Sequence, residues 1–487
     1  MAFKILLNAL ASEDSHLITA DLKDFFLTAE LPEKVYLKIL WSQIPQETID
    51  FYKLTPNTDS SGNKYIYGEL HQALYGLPQA NALAAQRLKE KLAQNDFYET
   101  DVPCIFRHRT RNITFLIHVD DFAIKLSKHS PTTIEDAKYM EHILTTSGYR
   151  GKFNFGGINF NTATVPQQYS LTWCGYTINH NKHTRTVTIS MNDYYQKLIN
   201  QIPDHIKPCS TPGIPFNIQY GQKEQYTIDT PNDIILTPEQ KKFLQKFVGE
   251  VLWYSNAVAH DFLTAVSKLS SHQTTPTKDT FPFTIERIQG YLKHYGNHQI
   301  QFQASDMKLH IMSDASFDAE PNSRSRGGCF MWIGNDKPTL INGPIFCQSK
   351  LLPGVPQSAA TAEIVQHVES GKSGIYARRI LRCIGYTQTP TIILADNLCS
   401  IDFAHDNTKG RTLKTIARRT NWLKHVVRQN VYIFRYISSK NNIADIFTKL
   451  LDKKQHDYLC DLFINRQNML QIKIQPQSSK CNYIHNN

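Results

Sequence analysis

Apolar and polar residues alternate along the first part of the chain in a way that predicts strands, turns and an amphipathic helix. The apolar positions of residues 15–24 predict a strand. Residues 115–126 are apolar on both sides of a polar dipeptide, which predicts two strands joined by a tight turn. Leucines recur on one face of residues 79–95 and predict a helix with a basic outer surface. Residues 173–178 and 185–189 predict a hairpin.

The middle of the chain is predicted to be helical. The sequence Thr237-Pro238-Glu239-Gln240 is typical of a capping box with proline at the first helical position. Further on, the pattern predicts strands at 309–314, 328–333, 345–349, 391–396 and 431–437, and helices at 283–295, 359–384, 413–429 and 442–451. The order of these last elements favours an open α/β layer architecture.

Composition and charge narrow the class of protein. Of the 487 residues 41% are hydrophobic and 20% are charged, which excludes a disordered or fibrous chain. No apolar run reaches the roughly 18 residues of a membrane span. The first residues lack a signal-peptide pattern, so we expect an intracellular protein that is not secreted. The net charge of +10 favours a polyanionic partner.

Two aspartates interrupt the apolar pattern of residues 115–126. Asp120 and Asp121 are adjacent, and Asp21 lies near the end of its own predicted strand. If the strands are neighbours, these carboxylates are placed to share two divalent ions about 3.5–4 Å apart, an arrangement suited to phosphoryl transfer. The alternative is an exposed Asp-Asp turn in a surface hairpin.

A second acidic set lies in the last part of the chain. Asp314 and Asp396 end predicted strands, whereas Glu363 and Asp445 begin predicted helices. Such positions meet at one edge of an α/β sheet, where ligands bind. Taken singly, each carboxylate has a structural alternative as a helix N-terminal or loop-capping residue. Four of them in these elements predict a cation site.

The order of the motifs in the first part resembles the reverse transcriptase of Ty1/copia-type retrotransposons. The matching residues are Asp21 to Phe26, Tyr75-Gly76-Leu77-Pro78-Gln79-Ala80, and Val119-Asp120-Asp121. The resemblance implies that the three aspartates are the polymerase carboxylates, that Phe26 excludes a ribose 2′-hydroxyl, and that the turn contributes substrate-binding residues Tyr75, Gly76 and Gln79. His118 and Asn81 depart from the family pattern, and only about twenty residues precede Asp21, which predicts a truncated fingers subdomain.

The last part resembles ribonuclease H in the copia-type arrangement. The matching pieces are Ser313-Asp314-Ala315-Ser316, the helix with Glu363, Ala395-Asp396-Asn397, and the sequence from Ala444 to Lys449. The resemblance implies that Asp314, Glu363, Asp396 and Asp445 hold metal for hydrolysis of the RNA strand of an RNA–DNA hybrid. Ile364 departs from the family pattern, since an aromatic residue usually follows the glutamate.

Together the two resemblances imply a multidomain α/β and α+β enzyme. We expect a palm with partial fingers at 1–212, a helical thumb or connection at 213–304, a ribonuclease H-like domain at 305–451 and a polar tail at 452–487. The implied cofactors are Mg²⁺ or Mn²⁺, two per active site.

The implied partners are an RNA template, a DNA primer, an RNA–DNA hybrid and deoxynucleoside triphosphates, without a membrane. Protease, integrase and nucleocapsid parts are expected to be absent from this chain. Two alternatives stay open: a catalytically impaired remnant that binds nucleic acid, and a chain with ribonuclease H activity only.

Overall fold

The computed structural model describes residues 1–127, 130–215, 236–274, 276, 279–320, 323–337, 341–406 and 417–464. These residues pack as two compact units. One unit is Leu17–Thr164, and the other joins Met1–His16 to the described part of Val165–Asn487. The second unit is therefore discontinuous in sequence.

Helices and strands alternate along both units. Within the described residues the α-helices are α1 (Ala2–Glu13), α2 (Gln46–Tyr52), α3 (Ala80–Ala93), α4 (Ser130–Thr146), α5 (Asn192–Ile199), α6 (Pro238–Ala257), α7 (Leu263–Ser271), α8 (Ile285–Tyr295), α9 (Ala359–Cys383), α10 (Leu398–Ala404), α11 (Ala417–Arg428) and α12 (Lys453–Asp461). The strands of the first unit are β1 (His16–Lys23), β2 (Glu30–Leu40), β3 (Asn57–Thr58), β4 (Lys64–Gln72), β5 (Phe97–Glu99), β6 (Ile105–His108), β7 (Thr114–His118), β8 (Asp121–Leu126) and β9 (Arg150–Asn154). Those of the second unit are β10 (Gln168–Trp173), β11 (Tyr176–Asn181), β12 (Thr186–Ser190), β13 (Gln299–Gln303), β14 (Lys308–Glu320), β15 (Arg324–Gly334), β16 (Pro344–Leu351), β17 (Thr391–Ala395) and β18 (Tyr432–Tyr436).

The unit Leu17–Thr164 contains a six-stranded sheet in the order β5-β6-β7-β8-β1-β9. The hairpin β7–β8 lies beside β1, and β1 pairs antiparallel with β9. Ala84, Leu88 and Leu92 on one face of α3 are buried, which leaves the basic side chains on its outer face. A smaller sheet, β2-β4-β3, belongs to the same unit.

The second unit contains a four-stranded sheet, β10-β11-β12-β13, and a five-stranded sheet, β16-β15-β14-β17-β18. In the five-stranded sheet β14, β17 and β18 run parallel, whereas β14, β15 and β16 pair antiparallel. Helix α9 packs on β14 and β15. The core beside this sheet includes the large side chains of Phe330, Trp332, Phe447 and Phe463.

Most elements that the sequence predicts are confirmed. The strand β1, the helix α3, the hairpin β7–β8 and the five strands of the last sheet lie within a few residues of their predicted positions. The capping box of α6 is also confirmed, because Thr237 accepts from the amide of Gln240 and the Gln240 side chain accepts from the amide of Thr237. The predicted mixture of α/β and α+β architecture is confirmed as well.

Two predicted elements were wrong. The hairpin predicted from residues 173–178 and 185–189 is confirmed as β11 paired with β12, but residues 173–178 are not one strand, because Cys174 and Gly175 have φ of 46° and 79° and form a turn between β10 and β11. The helix predicted at 442–451 is a short 3₁₀ helix, Ile443–Phe447, followed by α12. All five residues of the 3₁₀ helix are buried, so this segment lacks the solvent face of an amphipathic helix.

The four-part domain division stays a prediction. The structure groups α1 and the strands β10–β12 with the later part of the chain. Leu459 and Phe463 are buried in the core of the five-stranded sheet, so packing continues beyond residue 451. Residues 216–235 and 465–487 lie outside the described residues. None of the described helices combines the length and apolar character needed to cross a membrane.

A glycine in β15 lets the 3₁₀ helix lie directly against the five-stranded sheet. A Cβ atom at Gly328 would lie 2.5 Å from the carbonyl oxygen of Ala444 and 2.8 Å from Cγ2 of Thr448. Gly328 is also the register partner of Asp314 on β14. The absence of a side chain at 328 therefore fixes how closely the segment with Asp445 approaches the strand with Asp314.

We predict that Gly328→Ala destabilises the chain, since the new methyl group meets a backbone oxygen that cannot move without displacing the 3₁₀ helix. Overpacking of this kind costs about 1–3 kcal/mol. Thermal unfolding followed by circular dichroism measures the shift. The matched control is Gly249→Ala in α6, where a Cβ meets no atom within 4 Å. Helix propensity should make that substitution neutral or stabilising. Equal melting temperatures for the two variants would contradict the close approach.

Candidate functional site

The last acidic set converges at one edge of the five-stranded sheet. β14 and β17 run parallel with Met312 opposite Leu394, so Asp314 and Asp396 emerge at the same edge. Glu363 lies in the first turns of α9, which Ser358 caps by accepting from the amide of Thr361. The 3₁₀ helix brings Asp445 to the same edge.

Three of these carboxylates form a compact group. Side-chain oxygens of Asp314, Glu363 and Asp396 all lie within 4.8 Å of one another. We call these three residues the acidic triad. Asp445 lies outside this group and has its own cation, because Lys449 Nζ lies 2.8 Å from Asp445 Oδ1. Thr448 Oγ1 donates to Asp314 Oδ2 at 2.6 Å and so joins the 3₁₀ segment to the triad.

Burial and mutual repulsion disfavour the charged form of these carboxyl groups. Burial, together with the charges of Asp314 and Asp396, raises the pKa of Glu363 well above its usual value. Burial and the charge of Asp314 raise the pKa of Asp445 to about 8, and the same two causes raise the pKa of Asp396. Only one oxygen of Glu363 is bonded, since Oε1 accepts from the amide of Ala315 at 3.3 Å. Its Oε2 is buried, and no described residue donates a hydrogen bond to it.

These features fit a hard divalent cation. Mg²⁺ and Mn²⁺ prefer carboxylate oxygens, and a cation at the triad would relieve both the repulsion and the unpartnered Oε2 of Glu363. The acidic triad therefore has the donor set of a magnesium site.

A buried polar network holds the elements that carry the triad. His367, one turn beyond Glu363 on α9, lies 3.0 Å through Nδ1 from Ser313 Oγ and 2.9 Å through Nε2 from Ser400 Oγ. Ser313 precedes Asp314, and Ser400 lies on α10 just after Asp396. Burial lowers the pKa of His367 to about 3, so the ring is neutral. One histidine therefore ties together β14, α9 and the segment that follows β17.

The first acidic set lies in the other unit, at the β7–β8 turn and on β1. Val119 and Asp120 form the turn, and the amide of Leu22 donates to the carbonyl oxygen of Asp120 at 3.0 Å. This bond places Asp21 beside the turn, as the sequence predicts. Val119 has a φ of 61°, which is rare for a β-branched residue and indicates local strain at the turn.

Predicted substrate-binding residues surround Asp120. Tyr75 Oη donates to Asp120 Oδ2 at 3.2 Å, and the ring of Phe26 packs edge-on against Tyr75 with centroids 4.4 Å apart. Burial and the charge of Asp120 raise the pKa of Tyr75, with smaller contributions from other acidic neighbours that include Asp21. Gly76 has a φ of 98°, a conformation that favours glycine, and leads through a turn toward α3.

The two acidic sets differ in compactness. Asp21 and Gln79 are exposed, and Asp120 and Asp121 are half-buried. Among the described residues the acidic triad is the set of three whose oxygens approach within 4.8 Å; Asp21, Asp120 and Asp121 do not approach one another this closely as a set. The structure therefore brings the predicted palm residues to one place without forming a closed cation site.

Sequence reasoning missed three supporting residues. Thr448 and Lys449 were part of the matched motif, but no role was assigned to them. Thr448 and Lys449 follow Asp445 by three and four residues. In a helical segment this spacing indicates that their side chains lie on the same face as Asp445. No role follows from the sequence for His367 either. Nothing in its local sequence indicates the two serine contacts, because Ser313 and Ser400 are distant along the chain.

Comparison with known proteins supports the relationship that the motifs indicate. No family model matches the chain. The chain is 23% identical over 466 residues to the retrovirus-related Pol polyprotein from transposon TNT 1-94 of Nicotiana tabacum, covering 94% of this chain and 31% of the relative. It is 24% identical over 474 residues to the transposon Ty1-NL2 Gag-Pol polyprotein of Saccharomyces cerevisiae, covering 94% and 24%. The chain thus spans between a quarter and a third of the length of these relatives.

Among solved structures, the chain resembles the foamy viral protease-reverse transcriptase dRH in complex with double-stranded DNA. The TM-score is 0.47 at 14% identity, over 90% of this chain and 59% of that one. The sequence relatives are retroelement Pol proteins. More closely, the homologues of this chain are Ty1/copia-type Gag-Pol polyproteins, which match 94% of its length. The resemblance that the motifs indicate is therefore confirmed.

We predict that without divalent ions the stabilisation contributed by Glu363 and Asp445 falls as the pH rises from about 4.5 to 8, whereas buried neutral histidines such as His367 contribute in the opposite direction. The folded-state pKa of Glu363 and of Asp445 is raised, so the folded chain holds protons in this range that the unfolded chain releases. The expected fall is on the order of a few kcal/mol. Glu363→Gln should make it smaller, and Mg²⁺ should restore the stability of the unsubstituted chain at pH 8. Thermal unfolding in EDTA across this range measures both effects.

The matched control is Glu369→Gln on the same helix. Glu369 is partly exposed and pairs with Lys372 at 2.8 Å, so its replacement should leave the pH profile unchanged. Histidine titrations are common to all variants and cancel in the comparison. An identical pH profile for Glu363→Gln and the unsubstituted chain would contradict the repulsion at the triad.

Proposed function

We propose that the chain is an RNA-directed DNA polymerase with ribonuclease H activity on RNA–DNA hybrids. The observation that carries this proposal is the buried acidic triad, with an unpartnered carboxylate oxygen, at the edge of the five-stranded sheet. The sequence relatives are Pol polyproteins, which supports the same class of function for this chain. Because the chain spans less than a third of those relatives, its activity and partners are proposals.

At the proposed nuclease site the triad residues would hold Mg²⁺ or Mn²⁺. When bound, a pair of such ions supplies an activated water and charge stabilisation at a leaving oxygen. Asp314 lies centrally, since it neighbours Glu363 and Asp396 and accepts from Thr448. The backbone amide of Ala315 and the hydroxyl of Thr448 fix the carboxylates, so little reorganisation is needed when the ligand arrives. Through such an ion the triad would orient the scissile phosphate.

At the proposed polymerase site Asp21, Asp120 and Asp121 would hold the metal ions of nucleotide transfer. The exposed turn leaves room for the triphosphate, which would complete the coordination of Mg²⁺. Tyr75 orients the Asp120 carboxylate through its hydroxyl, and Phe26 supports the Tyr75 ring. Phe26 would then exclude a ribose 2′-hydroxyl.

The proposed partners follow from these two reactions. They are an RNA template, a DNA primer, deoxynucleoside triphosphates and an RNA–DNA hybrid. The net charge of +10 favours such polyanions. Not all basic residues of the last domain are available for them, however. Arg378 donates to the carbonyl oxygen of Thr389, and Lys424 and Arg428 pair with Asp406.

A second candidate function is ribonuclease H activity alone. The difference in compactness between the two acidic sets favours it, because the triad is closed whereas the palm carboxylates are open. In that case the first unit would bind nucleic acid without synthesis. Separate assays of the two reactions distinguish this function from the full polymerase.

We predict that the two reactions respond to different substitutions. Asp120→Asn should abolish primer extension on an RNA template and leave cleavage of the RNA strand intact. Glu363→Gln should do the reverse. Loss of a metal-binding carboxylate removes several kcal/mol of transition-state stabilisation, roughly a hundredfold or more in rate. Primer extension with a labelled primer and cleavage of a labelled hybrid measure the two rates on one preparation.

Two surface carboxylates provide controls. Asp50 on α2 accepts from Gln46, and Glu369 on α9 pairs with Lys372, so Asp50→Asn and Glu369→Gln should leave both rates unchanged. Loss of both activities in Asp120→Asn with an intact fold would contradict two independent sites. Cleavage without any primer extension by the unsubstituted chain would favour the nuclease alone.

We predict that Phe26→Ala weakens discrimination against ribonucleotides by about tenfold or more. Removal of the ring opens space for the 2′-hydroxyl. The ratio of incorporation efficiencies for a deoxynucleotide and its ribonucleotide isolates this effect from general loss of activity through Tyr75. Phe51→Ala on α2 removes an exposed ring and is the control. An unchanged ratio in Phe26→Ala would exclude this role for Phe26.

A further inference from the structure

Lys449 is a built-in cation at the part of the acidic cluster that the triad does not include. Its Nζ lies 2.8 Å from Asp445 Oδ1, and the Asp445 side chain is only 8% exposed. Burial alone would lower the pKa of Lys449. The charges of Asp314 and Asp445 outweigh burial and raise this pKa above its usual value. The charge of Asp396 acts in the same direction. The ammonium group thus interacts with three of the four carboxylates.

The local fold places this cation. Thr448 and Lys449 follow Asp445 by three and four residues, and they reach back to Asp314 and Asp445 respectively. Gly328 keeps the segment close to β15, as described above. Thr448 therefore lies against Asp314 and Lys449 against Asp445, whereas no described residue donates a hydrogen bond to Glu363 Oε2.

We propose that Lys449 is the resident counter-ion of Asp445, so that the substrate-free chain binds one divalent ion at the triad and binds a second only when Lys449 leaves Asp445. This inference rests on the proposed function, because it assumes a cation at the triad. It deepens that function by assigning different roles to the two halves of the acidic cluster. Lys449 is a positioning residue, since it acts through Asp445.

The charges of the cluster support this assignment. Metal binding requires ionised carboxylates; the four then carry four negative charges, and one divalent ion with the Lys449 ammonium reduces this to a single negative charge. A second divalent ion would make the cluster positive while Lys449 remains in place. The phosphates of a nucleic acid supply the negative charge that would then favour the second ion. Lys449 therefore couples the second ion to the arrival of substrate.

A comparable ion pair on the same chain is more exposed at both partners, since the Lys449 side chain is 46% exposed and that of Asp445 is 8% exposed. Lys453 Nζ lies 2.7 Å from Asp457 Oδ2 with the same four-residue spacing, but its side chain is 63% exposed and Asp457 is 24% exposed. Such surface pairs contribute little and exchange readily with water. Lys453 thus provides a control with the same chemistry and spacing at a position away from the cluster.

The experiment counts Mn²⁺ bound to the full-length chain in the absence of nucleic acid. Electron paramagnetic resonance of unbound Mn²⁺ and calorimetry both report stoichiometry without depending on activity. Every protein that is measured also carries Asp120→Asn and Asp121→Asn. Any Mn²⁺ bound at the first acidic set is then the same in all variants or is absent. Lys449→Met should then bind about one more Mn²⁺ than the chain with Lys449. Lys449→Arg, which keeps the charge, and the control Lys453→Met should not gain an ion.

Glu363→Gln separates the inference from the proposed function. If this substitution removes one Mn²⁺ and Lys449→Met adds one, the inference is supported. If Glu363→Gln removes one but Lys449→Met adds none, Lys449 is an ordinary ion-pair partner and the inference is overturned, while the metal site of the triad stands. If Glu363→Gln removes no ion, the triad does not bind metal, and both the proposed nuclease site and the inference fail.

Discussion

Repulsion among buried carboxylates is the constraint on which the second unit depends. Asp314 and Glu363 are both more than nine-tenths buried, and the triad oxygens lie within 4.8 Å of one another. Removing such charges from water costs several kcal/mol per group unless a cation or donors compensate. These groups are nevertheless held close together by the five-stranded sheet, the cap of α9 and the 3₁₀ helix. A fold without a cation would gain from apolar residues at the same positions, so the cluster points to ligand binding.

The first acidic set, Asp21, Asp120 and Asp121, reduces the same kind of repulsion by exposure. Its carboxylates lie at a hairpin turn and on the exposed side of β1, where water screens them. The constraint there is geometric, because the strained turn at Val119 and the bond from Leu22 to Asp120 fix the direction of the carboxylates. The nucleotide that we propose as the substrate of this site carries its own negative charge and metal ligands, so an open site suits it. A water nucleophile offers fewer contacts, which suits a closed and preorganised site.

Parts of the site that depend on local sequence patterns could be predicted from the sequence, whereas parts that depend on contacts between distant residues could not. Asp314 and Asp396 end apolar strands, and parallel strands share an edge, so their meeting could be predicted from pattern alone. The element with Asp445 could not, because its conformation depends on the close approach of β15 at Gly328, a contact between distant residues. The turn at Cys174 was missed for a different reason: its left-handed conformation breaks an apolar run that otherwise predicts a continuous strand.

The role of His367 shows why hydrogen bonds rather than apolar packing set the positions of the triad. Apolar cores tolerate small shifts, whereas a neutral imidazole has one donor and one acceptor that must both be satisfied. With Ser313 and Ser400 as partners, a shift of any one of three elements breaks a buried hydrogen bond and exposes the chain to a penalty of about 1–3 kcal/mol. A carboxylate cluster that must accept a cation of fixed coordination benefits from this stiffness, since misplacement by a fraction of an ångström weakens every metal–oxygen contact. The hydrogen bonds of His367 with Ser313 and Ser400 therefore fix the positions of the elements that carry the triad.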